Sequence, residues 1–283
     1  MTASPDAEPL VRAALAEDVG AGDWTTLWTV PTYTRGRAVV LAKAPGVIAG
    51  LPVTREVLRQ VDSGLVILES VYDGDEVRPG DVALAITGSA RSILSAERVM
   101  LNFLQRLSGI ATLTNAYVRA VQGTSARILD TRKTTPGMRT MEKAAVVAGG
   151  GENHRFGLHD MILIKENHVA AAGGISHALD AVQAANDRKF EVEIEVRNLE
   201  ELDEVLRYRI DRVLLDNFSI SDLRTGVERV HGLGSGRPKV EASGGISLDT
   251  VGDVARTGVD FISVGALTHS APALDLSLLL DLE

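Results

Sequence analysis

The chain has 283 residues, 45% of them hydrophobic and only 4% aromatic, which allows a large core built mainly from Ala, Val, Leu and Ile. It holds no cysteine, which excludes disulfides, thiolate nucleophiles and Cys-based metal sites. A formal charge of −9 is the wrong sign for the broad basic surface of a nucleic-acid binder. No apolar run approaches the length of a membrane span, and the start MTASPDAEP lacks the order of a secretory signal. A soluble, cytoplasmic protein is expected.

In chain order, Pro9 to Val19 fits a short helix ended by Gly20, followed by a loop of Gly and Asp from Glu17 to Thr26. Strands are expected at Arg37–Ala44, Gly46–Ala49, Leu65–Tyr72 and Asp81–Thr87, with a helix over Pro52–Val61 among them. Asp73-Gly74-Asp75 and Pro79-Gly80-Asp81 are turn signals. This mixture suggests an α+β layer separate from the remainder of the chain. Ser92 to Leu107 is the clearest helix, with Leu94, Met100, Leu101, Leu104 and Leu107 at helical spacing. Gly109 is expected to end it and to mark the domain boundary.

Beyond Thr124 short apolar runs alternate with amphipathic stretches. The runs are Ala126–Leu129, Met161–Ile164, Glu191–Val196, Arg212–Leu215, Lys239–Ala242 and Asp260–Val264. Ile175–Asn186, Leu199–Arg207, Ile220–His231 and Leu248–Arg256 read as the later helices between them. Repeated strand–helix units imply parallel strands with right-handed crossovers, and six of them favour a closed or nearly closed barrel over an open sheet. In the tail, Ala273 to Leu282, alternating leucines predict a half-exposed strand returning to the first sheet.

Every barrel run ends on polar residues, which a β/α barrel gathers on one face. The first run stops on Asp130-Thr131-Arg132-Lys133 and the second on Lys165-Glu166-Asn167-His168. Between Arg127 and His168 there are seven Lys/Arg and five Asp/Glu, so a locally basic site sits in an acidic chain and suits a small polyanion. Arg132, Lys133, Arg155 and Lys165 are the candidate anion binders, although each taken alone is also an ordinary salt-bridge partner. His154, beside Arg155 after Gly149-Gly150-Gly151, fits a second carboxylate, while His159 and His168 read equally well as structural histidines.

Glu191, Glu193 and Glu195 share one face of their strand, and the first, at the strand's entry, is expected to be solvated or paired. Glu195, with Asp216 one strand on, suits sugar hydroxyls or Mg2+, or else a salt bridge to Lys165. Ser243-Gly244-Gly245 and Val264-Gly265-Ala266 follow the last two strands, where close-approaching backbone N–H groups suit a phosphate.

The motifs Glu17 to Asp23, Glu97-Arg98 with Leu101-Asn102-Phe103-Leu104, Ser108 to Thr112, Asp130 to Thr134, Gly149 to Arg155 and Ile164 to His168 occur in one order. In this the chain resembles the quinolinate phosphoribosyltransferases over essentially its whole length. The resemblance implies an N-terminal α/β sandwich, residues 1–110 with strand 270–283 returning to it, and an incomplete α/β barrel at 111–269. It implies phosphoribosyl transfer from phosphoribosyl pyrophosphate to quinolinate with loss of CO2 and with Mg2+ as cofactor, giving nicotinate mononucleotide for NAD biosynthesis. Arg132, His154, Arg155 and Lys165 would hold the quinolinate carboxylates, with Thr131 beside them. Lys133 would lie near a carboxylate or the departing pyrophosphate. Glu195 and Asp216 would contact ribose and metal, and the two Gly loops the 5′-phosphate. Arg98 would reach the neighbouring site of a homodimer or an assembly of dimers. Nucleic acid and membrane are not expected partners.

Overall fold

A computed structural model describes residues 7–282. The chain opens with helices α1 (Ala7–Asp18) and α2 (Trp24–Thr29), strands β1 (Arg35–Ala42) and β2 (Gly46–Val47), and helix α3 (Leu51–Val61). Strands β3 (Val66–Ser70), β4 (Glu76–Val77) and β5 (Val82–Ser89) lead to the long helix α4 (Ala90–Ala120). Then come β6 (Arg127–Leu129), α5 (Arg139–Ala148), β7 (Ile162–Ile164), α6 (Glu166–Ala172), α7 (Ile175–Ala185) and β8 (Val192–Val196). The remainder is α8 (Leu199–Val205), β9 (Arg212–Asp216), α9 (Ile220–His231), β10 (Lys239–Ser243), α10 (Leu248–Ala255), β11 (Phe261–Ser263), α11 (Ala266–His269) and β12 (Leu276–Leu282).

The described residues divide into two compact units, one of residues 7–115, 134–150 and 267–282, the other of 116–133 and 151–266. The first is an α/β sandwich. Its main sheet runs β12-β1-β5-β3, and β12 pairs antiparallel with β1, Gly36 opposite Leu282, so the leucine-rich tail does return to the first sheet. Strand β1 alternates buried with exposed or half-buried positions as a one-sided sheet requires, whereas the inner strand β5 is buried continuously from Ala83 to Ile86. In the same unit Glu142 is fully buried and accepts hydrogen bonds from Arg106 Nη2 at 3.0 Å and from Thr135 Oγ1 at 2.7 Å.

The second unit is an incomplete α/β barrel. Its six strands are parallel in the order β6-β11-β10-β9-β8-β7, so the last strand closes on the first while no β6–β7 ladder forms among the described residues. Ile128, Ile194, Val196, Val213, Leu215, Val240 and Ile262 are buried on these strands, and each such side chain contributes about 1.5–3 kcal/mol on leaving water.

Two expectations are corrected, and one motif is placed. Helix α4 runs past Gly109 to Ala120. A Cβ at Gly109 would lie 2.0 Å from the Pro272 carbonyl oxygen, so this glycine permits a close backbone approach and does not end the helix. The Gly–Asp loop gives way at Trp24 to α2, whose weak Thr- and Trp-rich sequence is started by Asp23, which accepts the Thr26 N–H at 3.0 Å. The Lys165–His168 motif is the start of α6, where His168 Nδ1 accepts the Lys165 N–H at 3.0 Å. That bond supports the structural reading of His168.

Candidate active site

All six barrel strands point the same way, so their carboxyl ends share one edge. Thr131, Arg132 and Lys133 follow β6, and the Thr131 hydroxyl accepts the Lys133 N–H at 3.1 Å. Lys165 follows β7, Glu195 lies near the end of β8, Asp216 ends β9 and Ser243 ends β10. Val264, Gly265 and Ala266 follow β11, where the Val264 N–H donates to the Leu129 carbonyl at 2.9 Å and fixes this turn beside β6.

The carboxylates and cations at this edge act on one another. Lys165 Nζ lies 2.8 Å from Glu195 Oε2, the salt bridge considered from the sequence. Burial, and next the charge of Glu195, raise the Asp216 carboxyl above its usual range, while the Asn217 amide, Lys165 and Lys133 draw it back. Two mutually repelling carboxylates of hard oxygen donors fit a Mg2+ ion, so Glu195 and Asp216 are the residues suited to hold one.

The His154–Arg155 corner is tied to β6. Fully buried Asp130 accepts the His154 N–H at 2.9 Å, and the Arg155 N–H donates to His154 Nδ1 at 2.7 Å. Arg155 Nη1 donates to the Met161 carbonyl at 3.1 Å. Burial and then the nearby Arg132 charge lower the pKa of Arg155, which places two guanidinium groups close enough to repel, an arrangement that an anion between them would relieve.

Next to Asp216 the backbone is strained. Asn217 has φ +56°, its side-chain amide donates to Asp216 Oδ2 at 2.7 Å, and its own N–H donates to the Ser243 carbonyl at 2.9 Å. A Cβ at Gly244 would meet Asn217 Oδ1 at 2.2 Å, so only glycine fits there. Gly244 and Gly245 both take positive φ, +95° and +60°, ahead of helix α10. Successive residues of this kind turn their N–H groups toward a shared concavity suited to phosphate oxygens.

Of the residues singled out in the sequence, Thr131, Arg132, Lys133, Lys165, Glu195, Asp216, Ser243 and Val264 to Ala266 lie at this edge, with His154 and Arg155 tied to β6 beside it. Arg98 is exposed on α4, in the other unit. Glu191 is exposed, as expected of the strand's entry, whereas Glu193 is completely buried. The sequence left three participants without a role. The tie of Asn217 to Asp216 is visible only once its left-handed backbone is known. Glu193 and Glu241 carried a signal, each being a carboxylate inside an apolar strand.

Known proteins share the sequence and the fold. Residues 23–108 match the family model described as "Quinolinate phosphoribosyl transferase, N-terminal domain", and residues 110–279 match that of the C-terminal domain. The chain is 46% identical over 275 residues to the nicotinate-nucleotide pyrophosphorylase [carboxylating] of Mycobacterium leprae, with 96% of each chain covered. It is 44% identical over 293 residues to quinolinate phosphoribosyltransferase [decarboxylating] 1b of Nicotiana tabacum, covering 98% of this chain and 83% of that one. Among solved structures it superimposes on NadC of Streptococcus pyogenes with a TM-score of 0.93 at 38% identity, covering 100% and 99% of the two chains. The nicotinate-nucleotide pyrophosphorylase of Francisella tularensis gives 0.90 at 39% identity, with 98% of each covered. Two domain matches in order and relatives aligned over nearly their full length leave one assignment: the chain belongs to the quinolinate phosphoribosyltransferase family.

Proposed function

We propose that the carboxyl edge of the barrel is the site at which this chain performs its family's reaction. The chain is a carboxylating nicotinate-nucleotide pyrophosphorylase, transferring phosphoribose from phosphoribosyl pyrophosphate to quinolinate with loss of CO2. The observation that carries the site assignment is the meeting, at one sheet edge, of Arg132, Arg155 and Lys165 with the carboxylates Glu195 and Asp216. Cations suit a pyridine dicarboxylate, and carboxylates suit a sugar that turns cationic.

In this reading Arg132, Arg155 and Lys165 hold the quinolinate carboxylates, with Thr131 beside them, and orient the ring nitrogen toward C1 of the ribose. His154, expected among the carboxylate binders, instead stands behind Arg155, because its Nδ1 accepts the Arg155 N–H and its Nε2 lies 3.0 Å from Glu193. Lys133, exposed after β6, faces a carboxylate or the pyrophosphate. The ring nitrogen forms its bond to C1 as the C1–O bond breaks and pyrophosphate leaves with the electron pair. Positive charge on the sugar is greatest midway, as in other glycosyl transfers. Glu195 and Asp216 stabilise it from the ribose side. Ser243, Gly244, Gly245, Val264, Gly265 and Ala266 hold the 5′-phosphate through backbone N–H groups. Bound at Glu195 and Asp216, Mg2+ would supply neutralising charge for the pyrophosphate.

Once quaternary, the nitrogen withdraws the electrons of the adjacent C–carboxylate bond, CO2 departs, and a proton replaces it on the ring carbon. The family's division at 1–110 and 111–269 is retained, supported by the two domain matches. A homodimer, or an assembly of dimers, gives exposed Arg98 its role in a neighbouring site. No described helix is long and apolar enough to cross a membrane, in keeping with a cytoplasmic location. The test is pyrophosphate release from phosphoribosyl pyrophosphate on addition of quinolinate. Dependence on both compounds is expected, and release without the pyridine would overturn the acceptor assignment.

A further inference from the structure

Beneath the site lies a buried cluster that the proposed mechanism does not use. The strand register sets Glu193 directly opposite Arg212, and Glu241 opposite Leu214 two positions further along β9. Both carboxylates are 0% exposed. Arg212 Nη1 donates to Glu241 Oε2 at 2.9 Å, and its guanidinium lies 4.3 Å above the centre of the Phe261 ring. Among the remaining carboxylate oxygens, which make no aligned hydrogen bond, Glu193 Oε2 lies 3.0 Å and Glu241 Oε1 3.6 Å from His154 Nε2, at ion-pair distance.

Burying two carboxylates costs several kcal/mol for each ionised group, and apolar residues of similar volume would pack such a floor more stably. Stability alone is therefore a poor reason for this cluster. A metal is a poor reason too. His154, Glu193 and Glu241 place one ligand atom each within 4.8 Å of one another, but Arg212 already supplies the cation at Glu241. The ring of His154 gives the better reason. Its Nδ1 accepts the Arg155 N–H, so Nδ1 presents a lone pair and Nε2 is the nitrogen that bears a proton. Nε2 lies nearest the two carboxylates, so a small turn of the ring or of Glu193 brings its proton onto an oxygen that lacks a hydrogen-bond partner.

We propose that Glu193 and Glu241 are positioning residues for the acceptor: they lock the His154 ring from below, and through Nδ1 the ring locks the Arg155 peptide and sets where the Arg155 guanidinium meets a carboxylate of the pyridine. Arg212 holds Glu241 in place for this task. The inference rests on the reading of Arg155 as a carboxylate binder.

The experiment compares Glu193→Leu and Glu193→Gln, the second keeping shape and one acceptor oxygen, in wild-type and His154→Ala backgrounds. The Michaelis constants for quinolinate and for phosphoribosyl pyrophosphate are read separately. Loss of a charged acceptor predicts that Glu193→Leu raises KM for quinolinate about tenfold or more and leaves that for phosphoribosyl pyrophosphate within about twofold. Glu193→Gln recovers most of the loss, and in the His154→Ala background Glu193→Leu adds less than about twofold. Equal rises in both constants, or full additivity with His154→Ala, would overturn the proposal. If Glu193→Leu does not fold, the same cycle is run with Glu193→Gln and direct quinolinate binding by calorimetry, where weaker binding coupled to His154 supports it and unchanged binding overturns it. Arg155→Ala, measured alongside, separates the two levels: an unchanged KM for quinolinate there would defeat the underlying assignment.

Discussion

Lys165 and Glu195 are bonded to each other across adjacent strand ends, with Nζ 2.8 Å from Oε2. The proposed mechanism assigns the lysine to a substrate carboxylate and the glutamate to the ribose, so substrate binding must separate them. The lysine side chain is 47% exposed and the glutamate 13%, so the lysine is the partner free to move. Glu195→Gln is expected to lower kcat by about a hundredfold, the usual scale of a lost transition-state contact, while quinolinate binds as tightly as before or more tightly. Weaker quinolinate binding in this variant, measured by calorimetry, would contradict the assigned roles.

Lys165→Ala and Arg132→Ala are expected to cut turnover by at least about a hundredfold, because each removes a charge-assisted contact to the acceptor. The fold should survive the lysine change, since an ion pair this exposed is worth at most about 1 kcal/mol. Circular dichroism with steady-state kinetics checks both points, and near-normal activity in either variant would defeat the site.

Asn217 and Gly244 are predicted to work as one device. Asn217→Gly keeps the left-handed backbone but loses the 2.7 Å bond to Asp216, so kcat should fall with little change in melting temperature. Gly244→Ala drives a Cβ toward Asn217 and disturbs the phosphate loop, so KM for phosphoribosyl pyrophosphate should rise about tenfold. An unchanged constant in Gly244→Ala would remove this loop from the phosphate site.

Two carboxylates should give opposite pH signatures in stability. Burial pushes the Asp260 carboxyl up, but hydrogen bonds from Arg237, the Val240 N–H and Lys239 outweigh it and hold the pKa at about 2, below 3.8. Its contribution is present above pH 3.8 and is lost as pH falls through about 2. Asp260→Asn should therefore cost about 1 kcal/mol near neutrality, after allowance for solvent screening, with the difference closing in acid. For Glu241, burial and then the charge of Glu193 raise the carboxyl from 4.5 to about 7. That contribution is full below pH 4.5 and is lost as pH rises through about 7, so Glu241→Gln should flatten the stability profile across this window. Parallel pH profiles of wild type and variant would contradict either sign.

Gly109→Ala should destabilise the protein by about 1–3 kcal/mol, because overpacking against the Pro272 carbonyl outweighs the roughly 1 kcal/mol of helix propensity gained. A raised melting temperature would contradict the close approach.

The parallel strands were legible because apolar runs such as Arg212–Leu215 stop sharply on polar residues, and the return of the tail to β1 was legible from its alternating leucines. Gly109 misled because a glycine in an apolar helix reads as a stop signal, whereas its reason is a carbonyl from residue 272, far away in sequence. Helix α2 was hidden because a single cap at Asp23, not helix propensity, starts it. At the site, charge at strand ends pointed to Arg132, Lys165, Glu195 and Asp216. The couplings of Glu193 and Glu241 to His154, and of Asn217 to Asp216, depend on register and on a positive φ, which no local residue pattern records.

The measurement that bears most directly on the account is CO2 release from carboxyl-labelled quinolinate with phosphoribosyl pyrophosphate and Mg2+, beside a nicotinate control. Release that requires quinolinate and phosphoribosyl pyrophosphate together, with no nucleotide formed from nicotinate, is the predicted result. Nucleotide formation from nicotinate without CO2 release from quinolinate, in folded protein, would contradict it.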